Sequence, residues 1–373
     1  MTARVALDAM AIQRRGRGVS RLLRQLIPLL IRPAIGLDAF VLTTAEGAQL
    51  LGGLDGEVVT VPPMPKSIWE QTALPTLAKH HGADRLYTCS ECGPLWGPAT
   101  LLHIPEDPYI RWSTAAANTT HERVRRLYQR AVMGKSVARA TRLIVNSIAI
   151  SDQLRERFAP TVNIDVVPLG VDTTLFYPDS AGITDTSIFH LGSDEPRDQT
   201  ALVIEAYASA LSHQSDLPDL LIAGDLIELR PLLLQRISTL RLDGRVTLLG
   251  RVADDELRRL YSQCSICVQP AKYEGFGLQP LEALACGAPL AIFADPAVLD
   301  VVGTAAAVAN EHDARALGSL ISDLWAHPAQ RAHYRSLGPR RASQFTWANT
   351  ASLVAGHLKE MTTQPRPRAL DTP

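Results

Sequence analysis

The segment from residue 265 to residue 294 constrains the fold of this 373-residue chain more than any other. Two short apolar runs, Ser265 to Gln269 and Pro289 to Ala294, predict neighbouring buried strands. Between them, apolar residues recur at helical spacing from Pro280 onward, and this proline is predicted as the first residue of the helix. A strand, a loop, a helix and a second strand in this order are the repeating unit of a parallel α/β sheet.

The loop of this segment carries the chemistry of a ligand site. Glu274 lies in the loop and Glu282 in the first turns of the predicted helix. Gly275 and Gly277 allow a ligand to approach the backbone closely, and backbone N–H groups at the start of a helix attract anions. Because two carboxylates beside a phosphate would repel it, we expect them to face hydroxyl groups. The pattern favours a ligand that carries both phosphate and sugar hydroxyls.

The string AKYEGFGLQPLEALACGAPL resembles the E-x7-E segment of retaining glycosyltransferases of the GT-B fold, most closely family 4, the group 1 glycosyltransferases. The residues that match are Pro270, Glu274, Gly275, Phe276, Gly277, Leu278, Leu281, Glu282, Ala283, Ala285, Gly287 and Pro289. The resemblance implies an α/β fold with two Rossmann-like doubly wound domains facing a central cleft.

The resemblance also implies roles for individual residues. Glu282 would bind the ribose hydroxyls, and Glu274 would bind the donor sugar and support charge at its anomeric centre. Backbone N–H groups would hold the sugar and phosphate at Gly275, Phe276, Gly277 and Leu278. The donor would be a nucleoside diphosphate sugar that acts as a co-substrate, with no bound cofactor and no metal ion.

Shorter matches extend the resemblance through the first half of the chain. Gly18-Val19-Ser20-Arg21 is similar to a "G-I-G-R-Y" element, and Trp69-Glu70-Gln71 with Leu74-Pro75 is similar to "W-E-Q-x-x-L-P". Gly18 is therefore a candidate ligand contact, although a plain βα turn explains it equally well. His103 ends a predicted strand, where open α/β sheets bind ligands, and the family has a histidine beside the donor sugar there. A structural histidine is the alternative.

The chain departs from the family where the donor diphosphate is held. Ser193 and Asp198 stand where the family has an arginine, when present, and a lysine that stabilise the leaving group. That role needs fixed positive charge. Arg197, one residue from Asp198, and Lys272, two residues before Glu274, are the cations predicted to replace them.

Charge is distributed unevenly over a chain whose net charge is −1. Residues 1–177 hold 20 Lys and Arg against 15 Asp and Glu, a net of +5, so the remainder carries −6. Residues 121–142 carry seven of these cations beside an apolar side, which fits either a solvated helix or contact with an anionic membrane or a diphosphate. The sequence shows neither a signal peptide nor a segment that could span a membrane. We therefore expect a cytoplasmic protein that is peripheral at the inner face of the membrane. We expect no nucleic-acid partner.

Five cysteines argue against a disulfide framework. Cys89 with Cys92, and Cys264 with Cys267, have the C-x-x-C spacing of zinc ligands. The second pair falls where a helix passes into a buried strand, so buried thiols are the preferred interpretation.

The predicted organisation is an acceptor domain over residues 1–177, completed by a crossover helix at about 346–361, and a nucleotide-sugar domain over residues 186–345. Residues 362–373 form a predicted disordered tail. The predicted function is sugar transfer from a nucleoside diphosphate sugar to a glycan or lipid-linked acceptor, with retention of configuration and without a metal ion. GDP-mannose is the leading donor. The product is predicted to belong to a cell-surface polysaccharide such as lipopolysaccharide. Two alternatives stay open: a degenerate homologue that binds nucleotide sugar or a partner enzyme without turnover, and another GT-B enzyme such as an epimerase.

Overall fold

The computed structural model describes residues 3–14, 16, 18–114, 119–179 and 187–361. The chain divides into two compact units, Met1–Gly170 with Trp347–Pro373, and Val171–Thr346. The predicted first domain ended at residue 177, whereas the structure ends it at 170. The reason is that residues 171–177 bind within the second unit: Val171 N–H donates to Phe345 O at 3.1 Å and Ser262 Oγ to Tyr177 O at 3.3 Å. The predicted tail, residues 362–373, lies outside the described residues.

The described part of the first unit contains one seven-stranded parallel sheet in the order β3-β2-β1-β4-β5-β6-β7. Its strands are β1 (Arg4–Asp8), β2 (Asp38–Thr44), β3 (Glu57–Val61), β4 (Arg85–Cys89), β5 (Ala99–Ile104), β6 (Arg142–Val145) and β7 (Ile164–Val166). Its α-helices are α1 (Val19–Leu30), α2 (Ala45–Leu51), α3 (Lys66–Ile68), α4 (Leu74–His80), α5 (Pro108–Thr114), α6 (Thr120–Arg139), α7 (Ile148–Phe158) and, after the second unit, α15 (Trp347–Glu360). A π-helical segment, Trp69–Ala73, joins α3 to α4.

The described part of the second unit contains a six-stranded parallel sheet in the order β10-β9-β8-β11-β12-β13. Its strands are β8 (Ser187–Ser193), β9 (Asp219–Asp225), β10 (Val246–Gly250), β11 (Ile266–Gln269), β12 (Leu290–Phe293) and β13 (Ala306–Ala309). Its helices are α8 (Thr200–His213), α9 (Arg230–Thr239), α10 (Asp254–Gln263), α11 (Leu278–Ala285), α12 (Pro296–Val302), α13 (Ala314–Ala326) and α14 (Pro328–Ala342), with a 3₁₀ turn at Pro196–Asp198.

Both sheets are doubly wound, as predicted. In each sheet the first strand of the unit lies inside the sheet, and the chain adds strands on one side before crossing to the other. This order creates a switch point, and ligands of open α/β sheets bind outside the carboxyl ends of the strands near such a point. In the second unit the switch lies between β8 and β11, directly before the loop that holds Glu274.

The structure changes two details of the predicted helices. Helix α11 begins at Leu278 rather than at Pro280, because Gly277 at its N-cap takes a φ of 99° and lets the chain turn into the helix earlier. Pro280 still fits, since the first four N–H groups of a helix have no partner within it. The sequence predicts that Ser151 caps a helix that runs to Phe158. In the structure this helix, α7, begins at Ile148 and is capped by Ser147, whose side chain accepts from Ile150 N–H.

Candidate functional site

The loop between β11 and α11 holds the residues predicted to bind the donor. Gly275, Phe276 and Gly277 are buried, while Glu274 and Leu278 are half-buried. The Phe276 ring meets the Phe345 ring edge to face at 5.9 Å between centroids, which fixes the loop against the rest of the second unit. The loop thus leads rigidly into the N-terminus of α11, where an anion is favoured.

The two glutamates of this segment occupy different environments. Glu282 lies within α11 and is only 4% exposed, whereas Glu274 is half-buried in the loop. A nearly buried carboxylate needs hydrogen-bond donors to offset its lost hydration. The arrangement suits one inner carboxylate for a tightly held part of a ligand and one outer carboxylate for a part that reacts.

Asp295 is a residue of this site that the sequence analysis missed. Asp295 is 6% exposed and lies two residues after Phe293, the last residue of β12. Oδ1 accepts the N–H groups of Ala297 and Val298 at 3.1 and 3.2 Å, which caps α12. Oδ2 accepts the N–H groups of Tyr273 and Glu274 at 2.7 and 3.4 Å. One side chain therefore joins the start of α12 to the loop that carries Glu274.

Tyr273 shows that this loop is strained. Its φ is 62°, in the left-handed region that costs a residue with a side chain roughly 1–2 kcal/mol. Its side chain is 44% exposed, so side-chain packing alone does not explain the conformation. Strained backbone persists where surrounding contacts fix it, and such positions are concentrated at functional sites.

The loop after β8 carries the departures from the family pattern. The side chain of Ser193 donates to Asp198, and Ser193 Oγ accepts the Glu195 N–H at 3.1 Å. Both side chains are buried, so the acid and the hydroxyl that replace the family's cations bind each other. The Asp198 carboxylate is thereby directed into the protein.

A second carboxylate fixes the same loop. Asp194 accepts the backbone N–H groups of Ile227, Glu228 and Leu229 at 2.9–3.2 Å, just before α9. These contacts hold the loop after β8 against the loop after β9.

The two candidate cations, Lys272 and Arg197, are joined by a backbone hydrogen bond. The N–H of Lys272 donates to the carbonyl of Arg197 at 3.1 Å, which joins the loop after β8 to the loop that carries Glu274. Both side chains are half-buried, and Lys272 Nζ lies 5.9 Å from the centroid of the Phe293 ring. Both predicted replacements therefore belong to one cluster of loops at the carboxyl edge of the sheet.

His103 is enclosed in the first unit, at the end of β5. It has no exposed surface; its Nδ1 lies 2.8 Å from the Tyr87 hydroxyl and its Nε2 lies 2.5 Å from Asn146 Oδ1. Burial lowers the pKa of His103 to about 4, so the ring is neutral near pH 7. Both ring nitrogens are thus used within the protein, and this arrangement supports the structural alternative rather than the predicted catalytic role.

Gly18 is the N-cap of α1 and has a φ of 43°. A Cβ added there would meet nothing within 4 Å, so the backbone conformation alone explains the glycine. Its predicted contact with a ligand stays a prediction.

Buried Glu70, a residue of the W-E-Q match, is the centre of a polar cluster in the first unit that the sequence analysis did not predict. We define the Glu70 cluster as Lys66, Glu70, Ser90, Glu91 and Tyr128. Glu70 is 1% exposed, accepts from the Ser90 hydroxyl and accepts from the Tyr128 hydroxyl at 2.6 Å. Lys66 Nζ lies 3.7 Å from Glu70 and also binds Glu91. Burial raises the pKa of Glu70 to about 7, despite the nearby lysine.

The five cysteines are free and buried. Within the described ranges, no group of three or more His, Cys, Asp or Glu side chains is arranged to hold a metal ion. Burial raises the pKa of Cys267 and Cys286, as expected for thiols withdrawn from water. The C-x-x-C pairs are therefore buried thiols in this structure.

Helix α6 displays the basic and apolar surface expected from residues 121–142. Val124 and Leu127 are 61% and 68% exposed, one helical turn apart. Exposed cations accompany them on the helix: Arg123, Arg130 and Lys135. In the described part of the chain, no helix combines the length and apolar character that a membrane crossing requires.

Comparison with known proteins gives the following similarities. Residues 180–341 match the family model for glycosyl transferases group 1. A D-inositol 3-phosphate glycosyltransferase of Rhodococcus opacus is 30% identical over 58% of this chain and 52% of its own length. The serotype-specific mannosyltransferase WbdA of Escherichia coli is 27% identical over 55% of this chain and 25% of its own length. The matches thus span about half the length of these curated relatives, or less.

Among solved structures, HepE of Anabaena in complex with UDP-glucose superposes with a TM-score of 0.72 at 17% identity. The superposition covers 95% of this chain and 99% of that one. At this identity the likeness shows the fold.

Proposed function

We propose that this chain is a group 1 glycosyl transferase that transfers a hexose from a nucleoside diphosphate sugar to a hydroxyl of a glycan or lipid-linked acceptor. The match of residues 180–341 to the model of that family supports the proposal, as does the GT-B α/β fold. The reaction retains the anomeric configuration and needs no metal ion. Mannose from GDP-mannose is the proposed donor group, because one relative is named a mannosyltransferase. The product belongs to cell-surface polysaccharide.

The observation that carries this proposal is the placement of the E-x7-E segment. Glu274 and Glu282 enclose a buried glycine loop that enters α11 at the carboxyl edge of a parallel sheet, beside its switch point. That position combines hydroxyl-binding carboxylates with N–H groups that attract phosphate. A nucleoside diphosphate sugar offers both kinds of group in one molecule.

The resemblance to family 4 implies the roles of the two carboxylates, and their burial is consistent with these roles. Buried Glu282 binds the ribose hydroxyls, where strong and specific hydrogen bonds hold the nucleotide. Half-buried Glu274 binds hydroxyls of the donor sugar and stabilises positive charge that develops at the anomeric carbon as the diphosphate departs. The backbone of residues 275–278 holds the phosphate.

Arg197 is the proposed cation for the departing diphosphate, with Lys272 as its neighbour. Asp198 binds Ser193 and is turned away, so it does not oppose the phosphate. We expect Arg197→Ala to lower turnover by roughly 10²-fold, as for other groups that stabilise developing charge. Asp198→Lys should give no gain. A large gain from Asp198→Lys, with little effect of Arg197→Ala, would show that the chain lacks an effective cation here.

Calorimetric titration with UDP-, GDP- and dTDP-sugars, followed by a transfer assay with the donor that binds, tests the function. We expect one preferred donor. NMR should show the same anomeric configuration in the product as in the donor, and activity should persist in EDTA. Activity that is lost in EDTA and restored by manganese would contradict the metal-independent mechanism.

A non-catalytic nucleotide-sugar binder is the second candidate, and the Ser193–Asp198 pair favours it because neither position supplies positive charge. The same titration separates the two. Donor binding without transfer to any acceptor, both before and after Asp198→Lys, would support the binder.

We also propose that α6 contacts anionic membrane, since exposed Val124 and Leu127 can enter the headgroup region between basic side chains. The protein should pellet with vesicles that contain anionic lipid and be released by salt. Val124→Ser with Leu127→Ser should reduce binding, whereas Ile227→Ser, an exposed apolar residue of the second unit, should not. Equal binding to neutral and anionic vesicles would contradict the proposal.

A further inference from the structure

We infer that Asp295 is a positioning residue that holds Glu274 in place for the donor sugar. The inference rests on the proposed function of Glu274 and adds a residue that has no part in the E-x7-E pattern. Asp295 lies 22 residues after Tyr273 and 21 residues after Glu274, yet its side chain accepts the backbone N–H groups of both.

The geometry shows how one carboxylate performs two tasks. Oδ1 caps α12 through Ala297 and Val298, and Oδ2 accepts the N–H groups of Tyr273 and Glu274. A carboxylate has two acceptor oxygens and can serve both sets of donors at once. A serine hydroxyl or an asparagine amide has a single acceptor oxygen, so it cannot serve both sets of donors.

The strained backbone explains why such a tether is needed. Tyr273, with its φ of 62°, lies directly before Glu274 and receives the shorter of the two contacts to Oδ2, at 2.7 Å. If the tether were absent, Tyr273 would relax toward the ordinary region of φ, and the Glu274 side chain would turn with it. Catalytic groups tolerate little displacement, since about 1 Å of misplacement can lower the rate by roughly 10²-fold.

The tether also has a defined support. Asp295 is itself held by its N–H, which donates to Phe293 O at 2.8 Å, at the end of β12. The strand fixes Asp295, Asp295 fixes the loop, and the loop carries Glu274. Rigid elements thus set the position of a residue that lies in a loop.

The test uses Asp295→Ser and Asp295→Asn in the full chain, because serine and asparagine are good N-cap residues that keep α12 capped but do not supply the second acceptor. Asp313→Ser is the matched control, since Asp313 caps α13 by accepting the Ala316 N–H at 2.8 Å. Transfer is measured together with the affinity for GDP and for GDP-mannose.

We expect Asp295→Ser to lower turnover by roughly 10-fold to 10²-fold and to weaken GDP-mannose binding, with GDP affinity within about twofold of the unaltered protein. Asp313→Ser should change none of these. In a Glu274→Gln background, Asp295→Ser should cause little further loss, because a residue that acts through Glu274 has no effect once Glu274 is removed. Additive losses, or an equal loss of GDP affinity, would overturn the inference.

Hydrogen exchange supplies a measurement that does not depend on activity. The amides of Tyr273 and Glu274 should exchange faster in both Asp295 variants, whereas those of α13 should not. Unchanged exchange of these amides would overturn the inference while leaving the proposed function intact. If Glu274→Gln leaves turnover unchanged, the proposed role of Glu274 fails instead, whatever the exchange of the loop.

Discussion

The two sheets of this chain hold carboxylates at their carboxyl edges in different ways. In the first unit, buried Asp8 accepts from the side chains of Trp69 and Thr88 and from the Met10 N–H, and buried Glu70 accepts from the hydroxyls of Ser90 and Tyr128. In the second unit, half-buried Asp194 and buried Asp295 accept from the backbone N–H groups of neighbouring loops, whereas buried Asp198 accepts from the Ser193 hydroxyl.

This difference separates two uses of buried charge. A network of side chains joins strands and helices into a fixed body, and its members have shifted pKa values because they are withdrawn from water. Carboxylates bound to backbone N–H groups set the shape of loops and leave half-buried side chains such as Glu274 and Lys272 beside them. If the proposed function is correct, the first edge serves stability and the second serves binding.

A catalytic role for His103 would contradict this comparison of the two units most strongly. We expect His103→Ala to lower the free energy of unfolding by about 4 kcal/mol, because it leaves a cavity and removes the partners of the Tyr87 hydroxyl and Asn146. Urea denaturation measures the loss, and turnover per folded molecule should be preserved. Unchanged stability with turnover lowered 10²-fold would restore the catalytic role that the sequence predicted.

The second unit should show the opposite behaviour at Glu274. We expect Glu274→Gln to lower turnover by roughly 10²-fold, equivalent to about 2.7 kcal/mol, because the neutral amide supports less positive charge at the anomeric carbon. The melting temperature should not fall. A destabilised variant with normal turnover per folded molecule would give Glu274 the structural role that burial favours for His103.

The Glu70 cluster should make the first unit sensitive to pH. The folded pKa of Glu70, about 7, exceeds its ordinary value of 4.5, so the folded state binds this proton more tightly than the unfolded state. Stability should therefore fall as pH rises from about 5 to 7, by about 2 kcal/mol from this group. Asp8, whose pKa burial also raises, acts in the same direction.

Tryptophan emission in urea can follow this transition, because Trp69, Trp96, Trp112 and Trp347 belong to the first unit and only Trp325 to the second. Glu70→Gln should flatten the pH dependence. The same slope in Glu70→Gln would assign it to another group.

The smallest expected effect concerns Glu282. Hydrogen bonds to charged groups contribute roughly 1.5–3 kcal/mol each, so Glu282→Ala should weaken nucleoside diphosphate binding at least about tenfold. Titration with GDP measures this, and Glu205→Ala, a surface glutamate of the same unit paired with Arg236, is the control. Unchanged GDP affinity would remove Glu282 from the site.

Local patterns predicted the strand, the loop and the helix around Phe276, whereas the fold with two Rossmann-like domains was predicted from the resemblance to family 4. The glycines around Phe276 and the apolar runs on either side of it determine a strand, a loop and a helix from neighbouring residues alone. The partners of Asp198 and His103 depend on residues elsewhere in the fold, so a motif could not show that the first binds Ser193 and the second lies wholly within the core.

The N-cap role of Asp295 could have been predicted from the sequence. An aspartate followed by proline, directly after the apolar run of β12, is an N-cap with proline at the first helical position. The cap could have been predicted in this way. Its second task could not, because nothing in the sequence indicates which loop receives the other carboxylate oxygen.

The second unit is an insertion within the first, and this has a consequence for synthesis. The two ends of the second unit meet, since Val171 pairs with Thr346 in an isolated parallel bridge. Helix α15 is translated after the second unit and belongs to the first, where Thr350 Oγ1 donates to Pro168 O at 2.8 Å. As a chain emerges from the ribosome, domains fold in the order in which their residues become available. The second unit can therefore reach its native state while the first still lacks its closing helix, so the part of the chain that is made first is the part that finishes folding last.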